Sequence, residues 1–263
     1  MPHTTLAQYD VLKEKIAGYG YYSVAYSGGV DSSLLFKATF DVFGDKATAL
    51  LADSVLLSPN EVDRASTQVA SIGGRLQIFH YDPLAWPEFL TNPTDRCYHC
   101  KKKIYSKFLE FLRTNSQNSF YDGSNLNDLH DDRPGRRALV ELDIPTPLIE
   151  AGFDKATIRR VARELDLPTW NKPSSSCLAT RIPHGLKIDH RKISLVASCE
   201  QTLLGLGFHG CRTRLLDDEA RAVSIEITEE AFTTFTDTKI RNKVVAALRN
   251  KGFKQIFLNL AGR

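Results

Sequence analysis

The chain has 263 residues, of which 42% are hydrophobic and 25% are charged, and its formal net charge is +3. This composition is typical of a globular protein, and so small a charge does not predict a nucleic-acid partner. No apolar run reaches the roughly 20 residues that a membrane-spanning helix needs, so no membrane partner is expected. The N-terminal sequence MPHTTLAQYD lacks the basic and apolar regions of a signal peptide, which predicts a cytoplasmic protein.

Helix-like and strand-like patterns alternate through the first two-thirds of the chain. Helices are predicted at 5–18, 34–44, 60–73, 101–113 and 153–168, and strands at 21–26, 46–52 and 75–81. A fourth strand, which ends in a loop, is predicted within 118–125. Asp154 is the expected N-cap of the last of these helices. Strands that alternate with helices at this spacing predict a doubly wound parallel sheet, so the expected fold class is α/β.

The composition changes after Trp170, where NKPSSSCLATRIPHG is rich in Pro, Ser and Gly. Beyond this loop the pattern predicts a helix, two strands, a long helix and a last strand, at 188–207, 211–216, 221–227, 228–252 and 254–260. The sequence therefore predicts a first domain over 1–170, a cysteine-bearing loop over 171–186, and a smaller α+β domain over 187–263.

The string SGGVDSS follows the first predicted strand and is typical of a loop that binds phosphate. Two glycines without Cβ atoms let backbone N–H groups approach phosphate oxygens, and three serines offer hydroxyl groups. The next helix directs the positive end of its dipole at the anion. A carboxylate among phosphates is a candidate ligand for Mg²⁺. The candidate nucleotide-binding residues are Ser27, Gly28, Gly29, Asp31, Ser32 and Ser33.

SGGVDS resembles the phosphate loop of the ATP pyrophosphatases known as PP-loop enzymes. The resemblance implies that ATP is cleaved between its α and β phosphates, that AMP is transferred to a substrate, and that pyrophosphate leaves. Ala52 and Ser54, at the end of the second strand, lie where that superfamily holds adenosine. The alternative for these two residues is a plain strand end, and for the glycines a simple turn.

The five cysteines are an odd number in a chain expected in a reducing compartment, which argues against a disulfide framework. Cys97 and Cys100 form a CxxC pair, and Cys177 lies in a loop without apolar periodicity. Three thiolates fit a [4Fe–4S] cluster with one open iron better than a closed tetrahedral zinc site. Unligated reactive thiols are the alternative. Cys199 and Cys211 are expected to be buried core residues.

Three further strings narrow the family: DGSNLNDLHDDRPGRRA at 122–138, WNKPSSSCLATRIPHG at 170–185, and GFHGCRTRLLDDEARAVSIEI at 207–227. Together with SGGVDSS, and in this order, they resemble the ATP-dependent sulfur transferases that help to build the nickel-pincer nucleotide cofactor of lactate racemase. The resemblance spans nearly the whole chain, from the first strand to the last.

This resemblance implies a concrete reaction. The substrate is similar to pyridinium-3,5-biscarboxylic acid mononucleotide, a small-molecule nucleotide. ATP adenylylates its carboxylate, a sulfur nucleophile displaces AMP, and a thiocarboxylate results. The implied partners are this nucleotide and sulfide or another sulfur donor, and the implied assembly is a homo-oligomer, a hexamer in the family.

The family has two forms, which differ in the source of sulfur. One form sacrifices a loop cysteine, which becomes dehydroalanine, whereas the other carries CxxC and a third cysteine, binds a [4Fe–4S] cluster and uses a sulfide on the open iron. CxxC together with Cys177 matches the second form. Counted from Lys172, the sacrificial cysteine of the first form falls on Ser176, one position before Cys177. Sacrificial use of Cys177 remains the alternative.

Three arginines are candidates for holding the substrate's phosphate. Arg212 and Arg214 lie on one face of a predicted strand, because side chains alternate with a period of two, and Arg181 lies in the cysteine-bearing loop. The planar guanidinium group of arginine pairs with two phosphate oxygens at once. The alternative for the strand pair is a solvated face.

Four more residues are weighed as part of the site. Asp128, Asp132 and Arg133 are expected to contact the nucleotide or Mg²⁺, or else to brace a loop. Glu200 matches a family position that assists sulfur chemistry, and its alternative is a charge on an exposed helix face. With Asp31 and Cys177, Glu200 completes the predicted catalytic residues.

Other functions stay open on the sequence alone. A tRNA-thiolating PP-loop enzyme would need a basic RNA-binding surface, which the net charge disfavours. An amide-forming synthetase would have no use for three such cysteines. A protein that binds ATP without turnover is the non-enzymatic alternative.

Overall fold

The computed structural model describes residues 5–129, 134–174 and 176–263. They form two compact units. The first unit extends to Ser54 and also contains Asn60–Tyr81 and Asp95–Lys172, whereas the second contains Val55–Pro59, Asp82–Thr94 and Pro173–Arg263. The second unit thus includes two short segments from the N-terminal half of the chain. The roles assigned to the ranges 1–170, 171–186 and 187–263 stay predictions.

A parallel sheet lies at the centre of the first unit. Its strands are β1 (Ser23–Ala25), β2 (Thr48–Asp53) and β3 (Arg75–His80), in the order β1-β2-β3. Both pairs are parallel, with Ser23 opposite Thr48 and Thr48 opposite Arg75. This sheet, with the helices around it, confirms the predicted α/β class.

Helices of the first unit cover both faces of this sheet. They are α1 (Thr5–Tyr19), α2 (Val30–Phe43), α3 (Glu61–Ile72), α5 (Arg96–Thr114), α6 (Gly135–Glu141), α7 (Pro147–Glu150) and α8 (Lys155–Glu164), and the short α4 (Pro87–Leu90) belongs to the second unit. Side chains alternate along β2, so Ala49 and Leu51 join a core with α1, α2 and α8, whereas Leu50 joins a second core with α5 and α6. Such two-sided burial is typical of a parallel sheet.

Two helix starts follow from local side chains. Asp154 caps α8 as predicted, because its Oδ1 accepts a hydrogen bond from the backbone N–H of Thr157 at 2.7 Å. In contrast, α5 begins at Arg96 and not at Lys101 as predicted, so that CxxC lies in its first turn. The sequence between Pro93 and Lys101 contains no helix breaker, which explains the earlier start.

The strand predicted within 118–125 is reduced to one paired residue, and the loop predicted at its end is found. Only Tyr121 pairs, in an isolated parallel bridge with Val24. The chain then turns away, because the Asp122 carboxylate accepts a hydrogen bond from the backbone N–H of Ser124 at 2.9 Å. A side chain that binds the backbone two residues ahead competes with strand pairing in this way.

The second unit has a mixed sheet, in which β5 (Ala222–Glu226) is the central strand. β5 pairs antiparallel with β4 (Arg212–Leu215) and parallel with β6 (Gln255–Leu258). The helix α9 (His190–Gly205) buries Val196, Cys199 and Leu203. The observed order of helix, two strands, helices and last strand confirms the predicted order.

The single long helix predicted at 228–252 is wrong. The chain forms α10 (Phe232–Thr236) and α11 (Thr238–Asn250), separated at Asp237. Oδ1 of Asp237 accepts hydrogen bonds from the backbone N–H groups of Lys239 at 2.9 Å and Ile240 at 3.2 Å, so this residue starts a new helix. Within the described parts of the chain, the helices lack the length and apolar character that crossing a bilayer requires.

Candidate active site

The phosphate loop, which we define as residues 27–33, connects β1 to the start of α2. Gly28 has φ +68°, a left-handed conformation that glycine adopts without strain. Gly29 is the N-cap of α2, and its carbonyl accepts the hydrogen bond from the backbone N–H of Ser33 at 3.0 Å. The first N–H groups of a helix have no partner within it, so the loop carries backbone donors and the positive end of the helix dipole.

The three serines of the phosphate loop have different surroundings. Ser32 Oγ accepts a hydrogen bond from the backbone N–H of Ser27 at 3.2 Å and donates to the carbonyl oxygen of Gly29 at 3.2 Å, so it holds the turn closed. Ser33 is 2% exposed, and its Oγ lies 3.0 Å from the hydroxyl of Tyr26. Ser33 therefore supports the loop from its buried side, whereas Ser27 is exposed.

Gly123 approaches the start of α2 closely. A Cβ at this position would lie 3.3 Å from the backbone nitrogen of Ser32 and 3.5 Å from its Cα. Any larger side chain at Gly123 would push against the helix end that the phosphate loop shapes. Because Gly123 has no side chain, the loop that follows Tyr121 can pack closely against the phosphate loop.

Asp31 is held by an ion pair with Lys155 of α8. The Lys155 Nζ lies 2.8 Å from Oδ1 and 2.6 Å from Oδ2 of the carboxylate. Burial raises the pKa of Asp31 above its ordinary value, Lys155 opposes this rise, and the nearby Asp128 carboxylate adds to it. A carboxylate under these influences is suited to bind a cation, and a lysine already contacts it here.

A second lysine contacts the phosphate loop directly. Lys172 Nζ donates to the carbonyl oxygen of Gly28 at 3.0 Å and to Oε2 of Glu61 at 2.9 Å. Glu61 is the first residue of α3, where a carboxylate is favoured by the helix dipole. The ammonium group therefore places a positive charge at the backbone of the loop.

Ala52 and Ser54 lie at the carboxyl end of β2. Ala52 pairs with Phe79 of β3, and Ser54 follows the last residue of the strand. Parallel strands end at the same edge of a sheet, so these residues share that edge with the phosphate loop, which follows β1. Ligands of open α/β sheets bind at this edge.

Asp128 is buried, at 8% exposure, in a single turn of 3-10 helix at Leu126–Leu129. One of its carboxylate oxygens, Oδ2, accepts a hydrogen bond from the backbone N–H of Asn125 at 3.0 Å. Its charge raises the pKa of Asp31, which places the two carboxylates in one electrostatic environment. The predicted site residues Asp132 and Arg133 lie outside the described residues.

The CxxC pair lies on the first turn of α5, where residues three apart share a face. Cys97 is exposed and Cys100 is partly exposed. One turn along, Lys101 and Tyr105 both bind the buried carboxylate of Asp122, with the Lys101 Nζ 2.9 Å from Oδ2. The helix of the cysteine pair is therefore tied to the loop that abuts the phosphate loop.

Asp122 is ionised in this position. Burial raises its pKa, but Lys101 and the hydrogen bonds from Ser124 and Tyr105 outweigh it, so that the pKa lies below its ordinary value. Tyr105 is buried, and burial followed by Asp122 raises the pKa of its hydroxyl well above its ordinary value. The tyrosine thus remains a donor to the carboxylate.

The cysteines divide by exposure. Cys177 is exposed, like Cys97, and precedes a single 3-10 turn in the second unit. Cys199 and Cys211 are buried, which confirms their prediction as core residues. Burial raises the pKa of the Cys199 thiol to about 12 and that of the Cys211 thiol to about 11. These two thiols therefore stay protonated near neutral pH.

Arginines gather within the second unit. Arg212 and Arg214 alternate on β4, as predicted, and Arg263 lies with them. Burial, followed by the charges of Arg263 and Arg181, lowers the pKa of Arg212 to about 10. The Nε of Arg212 is buried and has no hydrogen-bond partner among the described residues. A buried donor among several positive charges favours an anion at this position.

The arginines differ in how firmly the protein holds them. Arg214 is paired with Glu226, and its Nη1 donates to the carbonyl oxygen of Thr180 at 2.6 Å. Among the described residues, the hydrogen bond of the Arg212 side chain is a long one, from Nη2 to the carbonyl oxygen of Ser174 at 3.3 Å. Of the two strand arginines, Arg212 thus has the weaker contacts with the rest of the protein.

Arg181 and Glu200 form a buried pair. Arg181, at 3% exposure, donates from Nε to Oε1 of Glu200 at 2.6 Å and from Nη2 to Oε2 at 3.1 Å. Its Nη1 donates to Oγ of Ser176 and to Oγ1 of Thr180, at 2.6 Å and 2.8 Å. Glu200 Oε1 also accepts from the backbone N–H of Thr213 at 3.0 Å, which ties α9 to β4. The pair anchors the turn that carries Cys177.

Comparison with curated proteins identifies relatives over most of the chain. A protein of Synechocystis, described as uncharacterized, is 35% identical over 239 residues, which are 91% of this chain and 88% of the relative. The pyridinium-3,5-bisthiocarboxylic acid mononucleotide synthase of Lactiplantibacillus plantarum is 35% identical over 241 residues, which are 91% of this chain and 86% of that synthase. The chain belongs to the family of this synthase.

A third protein is less similar to this chain. An uncharacterized protein of Methanocaldococcus jannaschii is 24% identical over 237 residues, which are 90% of this chain and 88% of the relative. No protein-family model matches the chain. Membership in the synthase family identifies the chain as an enzyme.

In this member of the synthase family, sequence reasoning missed three basic residues of the site. Lys155 lies inside a helix pattern, and nothing local indicates that it reaches Asp31. Lys172 stands in the NKP string at the start of the cysteine-bearing loop, so its basic charge there was a usable signal. Arg263 joins the arginines of β4 only through the folding of the second unit.

The predicted cluster ligands lie in two units. Cys97 and Cys100 belong to the first and Cys177 to the second. Across the described residues, no group of three or more His, Cys, Asp or Glu side chains is arranged to hold a metal ion. The three-thiolate cluster therefore stays a prediction.

Proposed function

We propose that the protein is an ATP-dependent sulfur transferase that acts on pyridinium-3,5-biscarboxylic acid mononucleotide in nickel-pincer cofactor synthesis. The observation that carries this proposal is the 35% identity to the synthase of Lactiplantibacillus plantarum, whose name specifies a bisthiocarboxylic product. A carboxylate resists attack by a nucleophile, so making a thiocarboxylate from it requires prior activation. A phosphate loop in the same chain supports ATP as the activating reagent.

Adenylylation is the first step of the proposed reaction. A carboxylate oxygen of the substrate attacks the α-phosphorus of ATP, the bond to the bridging oxygen breaks, and pyrophosphate leaves with the electron pair. Backbone donors of the phosphate loop, together with Lys172 on the Gly28 carbonyl, support phosphate binding there. Ala52 and Ser54, at the same sheet edge, would contact the adenosine.

A Mg²⁺ ion fits the carboxylates beside this loop. Asp31 and Asp128 would hold it, because carboxylate oxygens are the ligands that Mg²⁺ takes in proteins. The ion would neutralise phosphate charge as pyrophosphate leaves. Lys155, which contacts Asp31 at 2.6 Å, would keep the carboxylate oriented and ionised before the ion arrives.

Sulfur transfer is the second step. A sulfur nucleophile attacks the acyl carbon, the bond from that carbon to the AMP oxygen breaks, and AMP leaves, so that a thiocarboxylate remains. The exposure of Cys97 and Cys177, set against the buried thiols of Cys199 and Cys211, supports a role for the first two in this step. Glu200, within the pair that anchors the Cys177 turn, would position that turn.

The donor chemistry of the exposed and partly exposed cysteines fits an iron–sulfur cluster. Cys97, Cys100 and Cys177 would hold a [4Fe–4S] cluster, which supplies an open iron site for an external sulfide. The alternative is loss of the Cys177 sulfur by cleavage of its Cβ–S bond, which leaves dehydroalanine at position 177. Exposure of Cys177 is compatible with either source of sulfur.

The arginines of the second unit would hold the substrate's phosphate. Arg212 supports this proposal most directly, because its buried Nε has no hydrogen-bond partner among the described residues. Arg214 and Arg263 add positive charge beside it. Arg181, whose donors go to Glu200, Ser176 and Thr180, would act mainly by holding the turn.

One experiment tests the whole assignment. Anaerobically purified protein is incubated with ATP, Mg²⁺, sulfide and pyridinium-3,5-biscarboxylic acid mononucleotide, and pyrophosphate and product mass are followed. The proposal expects pyrophosphate release that depends on the nucleotide, and a gain of about 16 Da for each oxygen replaced by sulfur. Pyrophosphate release that depends on ammonia or tRNA would contradict it. Iron and acid-labile sulfide in the same sample distinguish the cluster from the sacrificial route, and light scattering tests the expected homo-oligomer.

A further inference from the structure

An arginine-lined pocket lies on the first unit, and its lining residues lie outside the phosphate loop. Its cavity measures about 470 Å³, which falls within the ~300–1,000 Å³ typical of ligand pockets. Its lining residues, which define what we call the arginine pocket, are Arg159, Arg160, Arg163, Trp170 and Asn171. None of these described lining residues is acidic.

The three guanidinium groups are held in place by neutral partners. Arg159 donates from Nη1 to the carbonyl oxygen of Trp170 at 2.6 Å and from Nη2 to that of Lys172 at 2.8 Å. Arg160 Nη2 donates to Oε1 of Gln8 at 3.0 Å, and the Arg163 guanidinium lies 5.0 Å from the centre of the Trp170 ring. These contacts orient the groups without neutralising their charge.

Among the described residues, no direct carboxylate contact neutralises the positive charge of the pocket, although Arg159 lies near enough to lower the pKa of Asp31 and Arg160 that of Asp154. Within the described part of the chain, none of the three arginines forms an ion pair with a carboxylate. Arg160, Arg163 and Trp170 are all exposed, so a ligand can reach them. Fixed guanidinium groups that make no direct contact with a carboxylate suit phosphate recognition, since a guanidinium group can donate two parallel hydrogen bonds to phosphate oxygens.

The pocket also offers a surface for a flat ring. The Trp170 side chain is 36% exposed, and the Asn171 amide stands beside it with hydrogen-bonding groups of both kinds. An exposed indole next to arginines suits a ligand that has both an aromatic ring and a negative charge. A nucleoside phosphate combines these features within the size of the cavity.

We propose that the arginine pocket binds a second phosphate-bearing ligand of nucleotide size, separately from the phosphate loop. The phosphate would pair with Arg160 and Arg163, Arg159 would add charge from its fixed position, and the ring would lie against Trp170. None of the residues lining this pocket belongs to the phosphate loop. The proposal does not depend on the sulfur-transfer reaction.

Trp170 provides a direct readout. The chain contains two tryptophans, so Trp86→Phe leaves Trp170 as the single tryptophan, whose fluorescence can be excited separately from that of the tyrosines. In this background, the phosphate loop is first saturated with α,β-methylene-ATP and Mg²⁺, and AMP, pyrophosphate or inorganic phosphate is then titrated. We expect a saturable fluorescence change with AMP, because a ligand on the ring disturbs its contact with Arg163. Pyrophosphate that binds as tightly as AMP would support a phosphate site in which the ring contributes nothing.

A matched pair of variants decides the outcome. Arg160→Ala/Arg163→Ala should weaken AMP binding by at least about tenfold, because it removes charge-assisted hydrogen bonds to phosphate. Arg241→Ala/Arg249→Ala removes the same charge from exposed positions on α11 and should leave the affinity unchanged. The absence of a saturable change, or an equal affinity in the Arg160/Arg163 variant, would overturn the proposal. A failure of α,β-methylene-ATP to bind would instead count against the proposed function.

Discussion

Asp31 of the phosphate loop and Lys155 of α8 form an ion pair in which one ammonium group contacts both carboxylate oxygens, at 2.8 Å and 2.6 Å. The two residues are more than a hundred positions apart in the chain. Because burial raises the pKa of Asp31 and Lys155 lowers it, the lysine sets how far the carboxylate stays ionised. The pair thus links α8 to the start of α2.

The first prediction concerns pH. Lys155→Ala removes the charge that opposes burial, so the pKa of Asp31 rises further. If the ionised carboxylate holds Mg²⁺, pyrophosphate release in the variant should decline at a higher pH than in the wild type as the pH is lowered. Lys155→Arg keeps the positive charge and should keep the wild-type profile. Superimposable pH profiles for Lys155→Ala and wild type would show that Lys155 does not control the ionisation of Asp31 in this reaction.

The second prediction concerns Asp31 itself. Asp31→Ala should reduce pyrophosphate release by at least about 100-fold, because the cation loses its ligand beside the phosphates. Its stability should change by no more than about 1 kcal/mol, since the ion pair it removes is partly exposed. Thermal unfolding and the pyrophosphate assay are measured on the same sample. Near wild-type activity in the folded variant would rule out the metal role.

The third prediction concerns the substrate's phosphate. Arg212→Ala should weaken binding of the nucleotide substrate by about 1.5–3 kcal/mol, or roughly 10- to 150-fold, and leave ATP affinity unchanged. Arg214→Ala should also weaken substrate binding. If Arg214→Ala fails to fold, Arg214→Lys is used instead, because a lysine can still pair with Glu226. Arg221→Ala, at an exposed position of the same unit, serves as the control. A loss of ATP affinity without a loss of substrate affinity would place the phosphate elsewhere.

The fourth prediction concerns thiol reactivity. At pH 8 iodoacetamide should modify Cys97, Cys100 and Cys177 in the cluster-free protein, but neither Cys199 nor Cys211. With a pKa of about 11, the Cys211 thiol is only about 0.1% thiolate at that pH, and Cys199, with a pKa of about 12, less still. Mass spectrometry after digestion counts the modified sites. All five should react in guanidinium chloride, and labelling of Cys199 in the folded protein would contradict the burial.

The fifth prediction treats Cys97, Cys100 and Cys177 as one functional unit. Replacing any one by Ala should remove the visible absorbance of a [4Fe–4S] cluster and stop sulfur transfer, while pyrophosphate release persists. Cys199→Ala and Cys211→Ala should retain both. Repeated turnover with added sulfide is expected of the wild type. Dehydroalanine at position 177 together with iron-free anaerobic protein would establish the sacrificial route instead.

Local patterns in the sequence predict much of this fold. The apolar strand before SGGVDSS and the Asp154 cap of α8 depend on neighbouring residues alone, and both are found. The pattern fails where one side chain overrides a longer periodicity, as Asp237 does between α10 and α11. It also overestimates the strand within 118–125, where Tyr121 alone pairs before Asp122 makes the turn into the predicted loop.

The candidate site was predictable only in part, for a related reason. Gly28 and Gly29 predict the phosphate loop because the backbone conformations that they allow depend on the local sequence alone. No local pattern in the sequence indicates the role of Lys155, since that role depends on α8 lying beside α2. Glu200 was predicted on a helix, but only the folded chain pairs it with Arg181.

The second unit is assembled from segments that the ribosome makes at different times. Val55–Pro59 and Asp82–Thr94 are synthesised well before Pro173–Arg263, with which they form one compact unit. Asn92, fully buried in the finished protein, donates to the carbonyl oxygens of Ile182, Pro183 and Leu186, which are translated seconds later. A nascent chain halted near Lys172 would therefore leave the Asn92 amide without these partners. Expression of the first unit alone thus calls for replacing those segments, and not merely for a stop codon.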